Sequence, residues 1–173
     1  HEGPMACSIL SQEFYETDST RDFVRGYGLH SGRSTTPMTY ALGGYGVDSP
    51  IPWGAEQRET MDNVYPYLAG LTVVSEDLPE EHNCVTLDPD MTDSDGIPAP
   101  KITYRLGENT RKMLRHGEER AKEILLAAGA KKVLSKGDDN VWWLAGWHQM
   151  GTCRMGDDPV TSVVNGWGRS HDV

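Results

Sequence analysis

The sequence predicts an α+β fold in which short strands pair mostly antiparallel beside flanking helices. Three features carry that reading. Short β-branched runs alternate with dense turn chemistry from Leu71 to Tyr104. A single strongly amphipathic stretch follows, from Asn109 to Gly129. The apolar content is ordinary: it is 37% with tyrosine counted and glycine left out, and replacing seven Tyr by nineteen Gly brings it to about 44%, close to the globular average. Gly and Pro number 19 and 10, about 17% together against roughly 12% expected, so loops are abundant.

The elements follow in chain order. His1 to Gly54 is polar and rich in Gly, Ser and Thr, and Phe14-Tyr15, Phe23-Val24 and Tyr27 to Leu29 read as short strands between polar turns. Leu42 to Gly54 is turn chemistry throughout. Glu56 to Leu68 reads as a helix with Met61, Val64 and Tyr65 on its buried face, ended by Pro66. Leu71 to Val74, Val85 to Leu87 and Ile102 to Tyr104 read as strands. The last two are joined as an antiparallel hairpin by a long acidic loop, Asp88 to Gly96. That loop lacks the twelve-residue spacing and closing Glu of a helix-loop-helix calcium site, so it reads as a solvated loop. In the strong helix Asn109 is the expected N-cap, and Met113, Leu114, Ala121, Ile124, Leu125 and Ala128 form the apolar stripe. Glu118 precedes Lys122 in the favourable order, and Gly129 supplies the left-handed stop. Ala130 to Leu134 leads onward as a strand or extended link.

Charge and composition exclude several classes. A formal net charge of -10 argues against a nucleic-acid partner, which needs clustered Lys and Arg. The longest apolar run, Ile124 to Ala128, is far short of the roughly 20 residues of a membrane span. Cys7, Cys84 and Cys153 lie far apart with no CxxC pair, which is no disulfide scaffold, although one bridge plus a free thiol stays open.

From Val141 to Val173 the composition changes. Trp142, Trp143, Trp147 and Trp167 gather here with His148, His171 and Cys153. Such aromatic density suits a pocket wall or an interface, and ordinary core packing is the plain alternative. His148, Cys153 and His171 lack the short spacings of a zinc site, so no metal is expected. Cys153 beside Arg154 could be an activated thiol, yet no second member of a catalytic pair stands at a recognisable position. His148 could be a general base, because imidazole titrates near neutrality.

Trp147-His148-Gln149-Met150-Gly151-Thr152-Cys153-Arg154-Met155-Gly156-Asp157-Asp158-Pro159, continuing through Ser162-Val163-Val164-Asn165 to His171-Asp172-Val173, resembles the C-terminal catalytic segment of the glucose-methanol-choline (GMC) flavoprotein oxidoreductases. Upstream, Glu76 to Pro79, Val85 to Pro89, Gly96 to Pro98 and the Asn109 to Gly129 helix resemble the substrate-domain region of the bacterial sugar, polyol and gluconate-type dehydrogenases of that family. Phe14 to Asp18 and Phe23 to Tyr27 are similar too, and the likeness is weakest from Arg33 to Tyr67.

The resemblance implies that residues 1–140 form the substrate-domain region, with the first residues open to assignment to the FAD domain. Residues 141–173 then begin the C-terminal catalytic segment, a return into a Rossmann-like FAD domain. It implies an FAD-dependent oxidation of a CH–OH group in a sugar, polyol or sugar acid, with hydride passing to the flavin. His148 is then the proton acceptor, Trp147 walls the substrate side, and Gly151 and Thr152 contact the cofactor. A cytochrome or quinone is the implied electron acceptor, in a periplasmic or membrane-associated setting. The Gly-x-Gly-x-x-Gly pyrophosphate loop does not occur in this chain, nor does a later segment with a second catalytic His or Asn. The chain therefore reads as a piece of a longer enzyme, inactive alone. The rival expectation is a non-catalytic carbohydrate-binding module whose tryptophans stack on sugar rings.

Overall fold

The structure, a computed structural model, describes residues 10–33, 38, 53–133, 135 and 151–172. Among these the elements are β1 (Leu10–Ser11), β2 (Tyr27–Arg33), α1 (Ala55–Asn63), a 3-10 turn (Tyr65–Tyr67), β3 (Ala69–Ser75), β4 (Cys84–Thr92), β5 (Pro98–Thr103) and α2 (Glu108–Ala127). The architecture is α+β. Every strand pair is antiparallel, in two small sheets of order β1-β2-β3 and β4-β5. The chain divides into two compact units, His1–Leu78 with Leu106–Val141 and Pro79–Arg105 with Trp142–Val173.

In the first unit β2 and β3 pair with Leu29 opposite Val73 and Ser31 opposite Leu71. Alternation along a strand puts Tyr27 and Leu29 on one face with Leu71 and Val73. The core is built there: Tyr27, Leu29, Phe23, Met113 and Ala121 are buried, and Phe14, Leu71 and Val73 pack against them. Met113 is fully enclosed, at 0% exposure. Helix α2 meets the sheet at Gly117, where an added Cβ would stand 2.6 Å from Val73 Cγ1 and 3.1 Å from Tyr27 Cε2. A mid-helix glycine costs roughly 1 kcal/mol relative to alanine, and this close approach is what requires it.

The segment before β2 is an aromatic clasp rather than a run of strands. Phe14 stacks on Tyr27 at 5.2 Å between centroids, and the His116 ring meets Phe14, Phe23 and Tyr27 edge-on. The Arg21 guanidinium lies over Phe14 and Phe23. Phe14-Tyr15 and Phe23-Val24, expected as strands, are not strands: Phe14 lies in a turn, Tyr15 is irregular, and Phe23 and Val24 lie in a bend. Their aromatic rings make them look strand-like in sequence, while the backbone turns to bring those rings together.

Asn109 also departs from its expected role. Helix α2 begins one residue earlier, after Gly107, with no side-chain cap. Asn109 Oδ1 accepts from Val24 N at 2.8 Å, and its Nδ2 donates to Val24 O at 3.0 Å. The amide thus pairs with a loop peptide as a neighbouring strand would. The Thr110 hydroxyl, buried at 2% exposure, donates to Asp77 Oδ1 at 2.6 Å. Of the expected stripe, Met113 and Ala121 are buried and Leu114 and Leu125 are half-buried. Ile124 and Ala128 are exposed. Lys122 pairs with Glu118 at 3.2 Å, and Gly129 adopts φ +95° as expected. No strand follows it among the described residues of Ala130 to Leu134.

Helix α1 is shorter than expected and buries no residue. It stops at Asn63 because Pro66 cannot continue an α-helix, and the chain tightens into the 3-10 turn that contains that proline. Met61 and Tyr65 are half-buried and Val64 is exposed.

In the second unit, β4 and β5 pair from Cys84 opposite Thr103 to Thr92 opposite Pro98, with a register shift between Leu87 and Thr92. Much of the expected acidic loop is therefore strand. Asp88 Oδ1 accepts from Asp90 N and Met91 N at the shift, and Asp93 Oδ1 accepts from Asp95 N and Ile97 N in the turn. The aspartates serve their own backbone, which is why turn formers could sit inside a bulged strand. Asn83 and Arg105 close the open end through two reciprocal bonds, of 3.1 and 2.7 Å.

Candidate functional site

The segment that carries the sequence motif is described from Gly151 to Asp172. His148 and Trp147, expected as base and pocket wall, lie outside the described residues, as do Trp142, Trp143 and Cys7. Gly151 and Thr152 open the described part. Gly151 has φ +93° with open space where a Cβ would stand, so the backbone makes a left-handed turn. Thr152 and Cys153 are exposed beside it. Among the described residues the Gly151-Thr152-Cys153 backbone and the Thr152 hydroxyl enter no hydrogen bond. Their unspent donors suit acceptor oxygens on a ligand.

Past Cys153 the chain is anchored at once. Arg154 O accepts from both Val163 N and Val164 N, at 2.9 and 3.3 Å, and Gly156 N donates to Val164 O at 2.9 Å. Met155 and Val164 form a parallel bridge, and Val164 and Ser170 an antiparallel one. Two turns connect these pieces. Asp158-Pro159-Val160-Thr161 closes with Thr161 N on Asp158 O at 3.1 Å, with proline at the second position where its fixed φ is useful. Asn165-Gly166-Trp167-Gly168 closes with Gly168 N on Asn165 O at 2.9 Å, with φ +79° at Gly168. Asn165 Oδ1 accepts from Trp167 N and Arg169 N inside that turn.

A serine and a histidine tie the pieces together. Ser162 Oγ lies 3.0 Å from Gly156 O and 2.5 Å from Asp158 O. His171 Nε2 lies 2.9 Å from Ser162 Oγ and 3.0 Å from Gly156 O. A carbonyl oxygen only accepts, so Nε2 carries a hydrogen. The single hydroxyl proton of Ser162 then goes to the nearer carbonyl, Asp158 O, and Oγ faces the imidazole as an acceptor. In a Ser–His nucleophile pair Nε2 must instead offer a lone pair. The pair is therefore a latch between backbone segments, not a nucleophile and its base.

Gly156 is small for the same reason. A Cβ there would stand 3.1 Å from Ser162 Cβ and would crowd the latch. Sequence reasoning considered His171 only as a metal ligand and gave Ser162 no role. Among the described residues no three His, Cys, Asp or Glu side chains gather as a metal site. Cys153 and Cys84 are free thiols at the surface. Trp167 is 95% exposed at its turn. No helix among the described residues is long and apolar enough to cross a membrane.

Comparison with known proteins bears on this segment directly. The family model described as GMC oxidoreductase matches residues 79–173, more than half of the chain. The chain is 38% identical to the 2-methyl-1,2-propanediol dehydrogenase of Mycolicibacterium austroafricanum over 173 residues, all of this chain and 31% of that protein. It is 35% identical over 95 residues to the fructose dehydrogenase large subunit of Gluconobacter japonicus, covering 55% of this chain and 17% of the relative. With the paromamine 6'-oxidase of Streptomyces fradiae it shares 37% identity over 81 residues, covering 47% of this chain and 15% of the relative. The chain thus spans less than a third of the length of these relatives.

Proposed function

This chain belongs to the GMC oxidoreductase family, and we propose that it is part of an FAD-dependent dehydrogenase acting on the CH–OH group of a sugar, polyol or sugar acid. The observation that carries this reading is the family match over residues 79–173, which takes in the whole His148 to Pro159 motif. The relatives named for a propanediol and for fructose support an alcohol or sugar substrate. On this reading residues 1–140 belong to the substrate domain, and residues 141–173 start the catalytic segment that returns to a Rossmann-like FAD domain.

The roles follow from chemistry. FAD, when bound, accepts the hydride from the substrate carbon. His148 takes the hydroxyl proton, because hydride leaves readily only as the oxygen becomes alkoxide-like. Trp147 covers the substrate side beside that base. Gly151 and Thr152 hold the cofactor through the unspent N–H groups and hydroxyl of their left-handed turn, with no Cβ at Gly151 to bar a flat ligand. A cytochrome or quinone would take the electrons onward, a reading that the relatives named as dehydrogenases support and the relative named as an oxidase does not, and the setting would be periplasmic or membrane-associated.

The test is anaerobic single-turnover flavin reduction against pH in the complete flavoenzyme. His148→Ala should slow reduction by roughly 10²–10⁴-fold while FAD stays bound. The wild-type rate should fall at acid pH, because imidazolium cannot accept the proton. A variant within a few-fold of wild type, with the same pH profile, would show that His148 is not the base.

A further inference from the structure

We propose that His116 is the catch of an acid-sensitive device in the first unit: the neutral ring holds the loop of residues 12–26 against helix α2, and protonating the ring loosens that loop. His116 stands on α2 with three aromatic rings around it. The centroids of Phe14, Phe23 and Tyr27 lie 5.6, 5.4 and 5.8 Å from its own, and each ring meets it edge-on. Two of these rings come from the loop and one from β2, so the imidazole sits where helix, loop and sheet meet. The Arg21 guanidinium lies over the Phe14 and Phe23 rings, at 5.4 and 6.0 Å. Asp18 at 3.4 Å and the Glu16 carbonyl at 3.2 Å tie it to the same loop. Its side chain is 15% exposed, so water screens its charge weakly. Arg120 places a second guanidinium one helical turn from His116.

Two things change when the ring takes a proton. The first is charge. Among the described residues Arg21 and Asp22 face His116 from the loop, Glu119 and Arg120 from its own helix, and the Tyr27 phenol from β2. The imidazolium would join two cations around the same aromatic rings, and the two carboxylates oppose this only in part. The second is the hydrogen bond. Tyr27 is 1% exposed, and its hydroxyl hydrogen is given to Nδ1 at 2.8 Å. A protonated Nδ1 is itself a donor, so the phenol hydrogen has to leave this enclosed contact. Burial, helped by the two guanidinium groups, accordingly holds His116 below the ordinary histidine value. An open loop frees the ring to titrate near 6.5, so the open form takes the proton first and acid drives the opening. The loop is the part that gives way. Strands β2 and β3 are paired from Tyr27–Ser75 to Arg33–Ala69. The loop is closed at separate points, by Tyr27 N on Phe14 O at 3.0 Å, Arg21 N on Asp18 O at 3.1 Å and Arg25 N on Thr17 Oγ1 at 3.1 Å. Segments held in that way open before a sheet does. Asn109 keeps Val24 by two bonds, so the loop swings from that anchor.

The experiment follows amide hydrogen exchange in the complete enzyme at about pH 7.5 and about pH 5, on either side of the ordinary histidine value, with each rate corrected for the intrinsic effect of pH. In wild type, protection over residues 12–27 should fall roughly three- to ten-fold at the lower pH, while β3 changes by less than about two-fold. His116→Asn keeps an acceptor near the position of Nδ1 and does not titrate in this range. Its loop should show the same protection at both pH values, to within about two-fold. Where that variant does not fold, His116→Phe keeps a ring in the clasp and carries the same expectation. A wild-type loop equally protected at both pH values overturns the proposal. So does an acid loss that persists undiminished in either variant. An equal loss over residues 12–27 and over β3 also overturns it, because the first unit would then be opening as a whole.

Discussion

In the first unit α2 lies on β2 and β3 with Met113 and Leu29 enclosed and glycine at the point of closest approach, whereas in residues 151–172 no side chain is fully buried and backbone groups are held by Ser162, His171 and Asn165. Apolar contact is non-directional and tolerates small shifts. Hydrogen bonds to carbonyl oxygens are directional and fail within a fraction of an ångström. Among the described residues the first unit is accordingly held by an apolar core, and residues 151–172 by directed hydrogen bonds. Truncating apolar groups should harm the first unit. Deleting single polar groups should harm the second.

The sharpest break is Met113→Ala. Met113 is at 0% exposure in the core, so its removal leaves a cavity and should cost about 2–5 kcal/mol in urea unfolding followed by a probe in the first unit. A loss below about 1 kcal/mol would mean that the core is not organised around it.

A smaller effect tests the aromatic clasp. Tyr27 Oη and His116 Nδ1 lie 2.8 Å apart. Burial raises the Tyr27 phenol to about 12, against a small opposing pull from Arg21 and Arg120. Burial also lowers His116, helped by the Arg120 and Arg21 cations and resisted by Glu119 and Asp22. The signs set the pH window. The unfolded chain protonates histidine near 6.5, above the folded value, so the His116 contribution is complete above that pH and is lost as the pH falls through the folded pKa. The phenol ionises near 10 when unfolded and near 12 when folded, so its contribution is complete below about 10 and is lost between about 10 and 12. Tyr27→Phe should cost about 1 kcal/mol at neutral pH, the net worth of a hydrogen bond, and should flatten the alkaline loss. Urea midpoints for both proteins from pH 5 to pH 12 would reveal it, and parallel alkaline limbs would contradict it.

The smallest effect is expected at Trp167. At 95% exposure it contributes almost no buried area, so Trp167→Ala should change stability by less than about 0.5 kcal/mol. A larger loss would show that the turn depends on more than Asn165.

How much of this was legible follows from what each feature depends on. The runs at Leu71 to Val74, Val85 to Leu87 and Ile102 to Tyr104 announce strands by their own β-branched and aromatic composition, although the last strand ends at Thr103. The α2 stripe announces a helix by its period, and Gly129 its end. The motif from Trp147 to Pro159 announces the family. By contrast, Phe14 and Phe23 look like strand residues and are clasp residues, because their partner, His116, lies more than ninety residues on. Asn109 looks like a cap and is instead a surrogate strand for Val24.

In the motif segment, the glycine turn at Gly151 could be read from residue type. The latch could not. Ser162 and His171 are nine residues apart at no helical or strand spacing, and each alone is an unremarkable polar residue.

The sequence by itself thus determined the class of fold, the family and the glycine stop after α2, since propensity, periodicity and φ preferences are properties of residues and their near neighbours. Only the tertiary structure decided that Gly117 must be small, that Asn109 serves a loop, and that His171 meets the Gly156 carbonyl. Those outcomes depend on which distant backbone group arrives within about 3 Å of a side chain, and local energetics carry no information about that arrival.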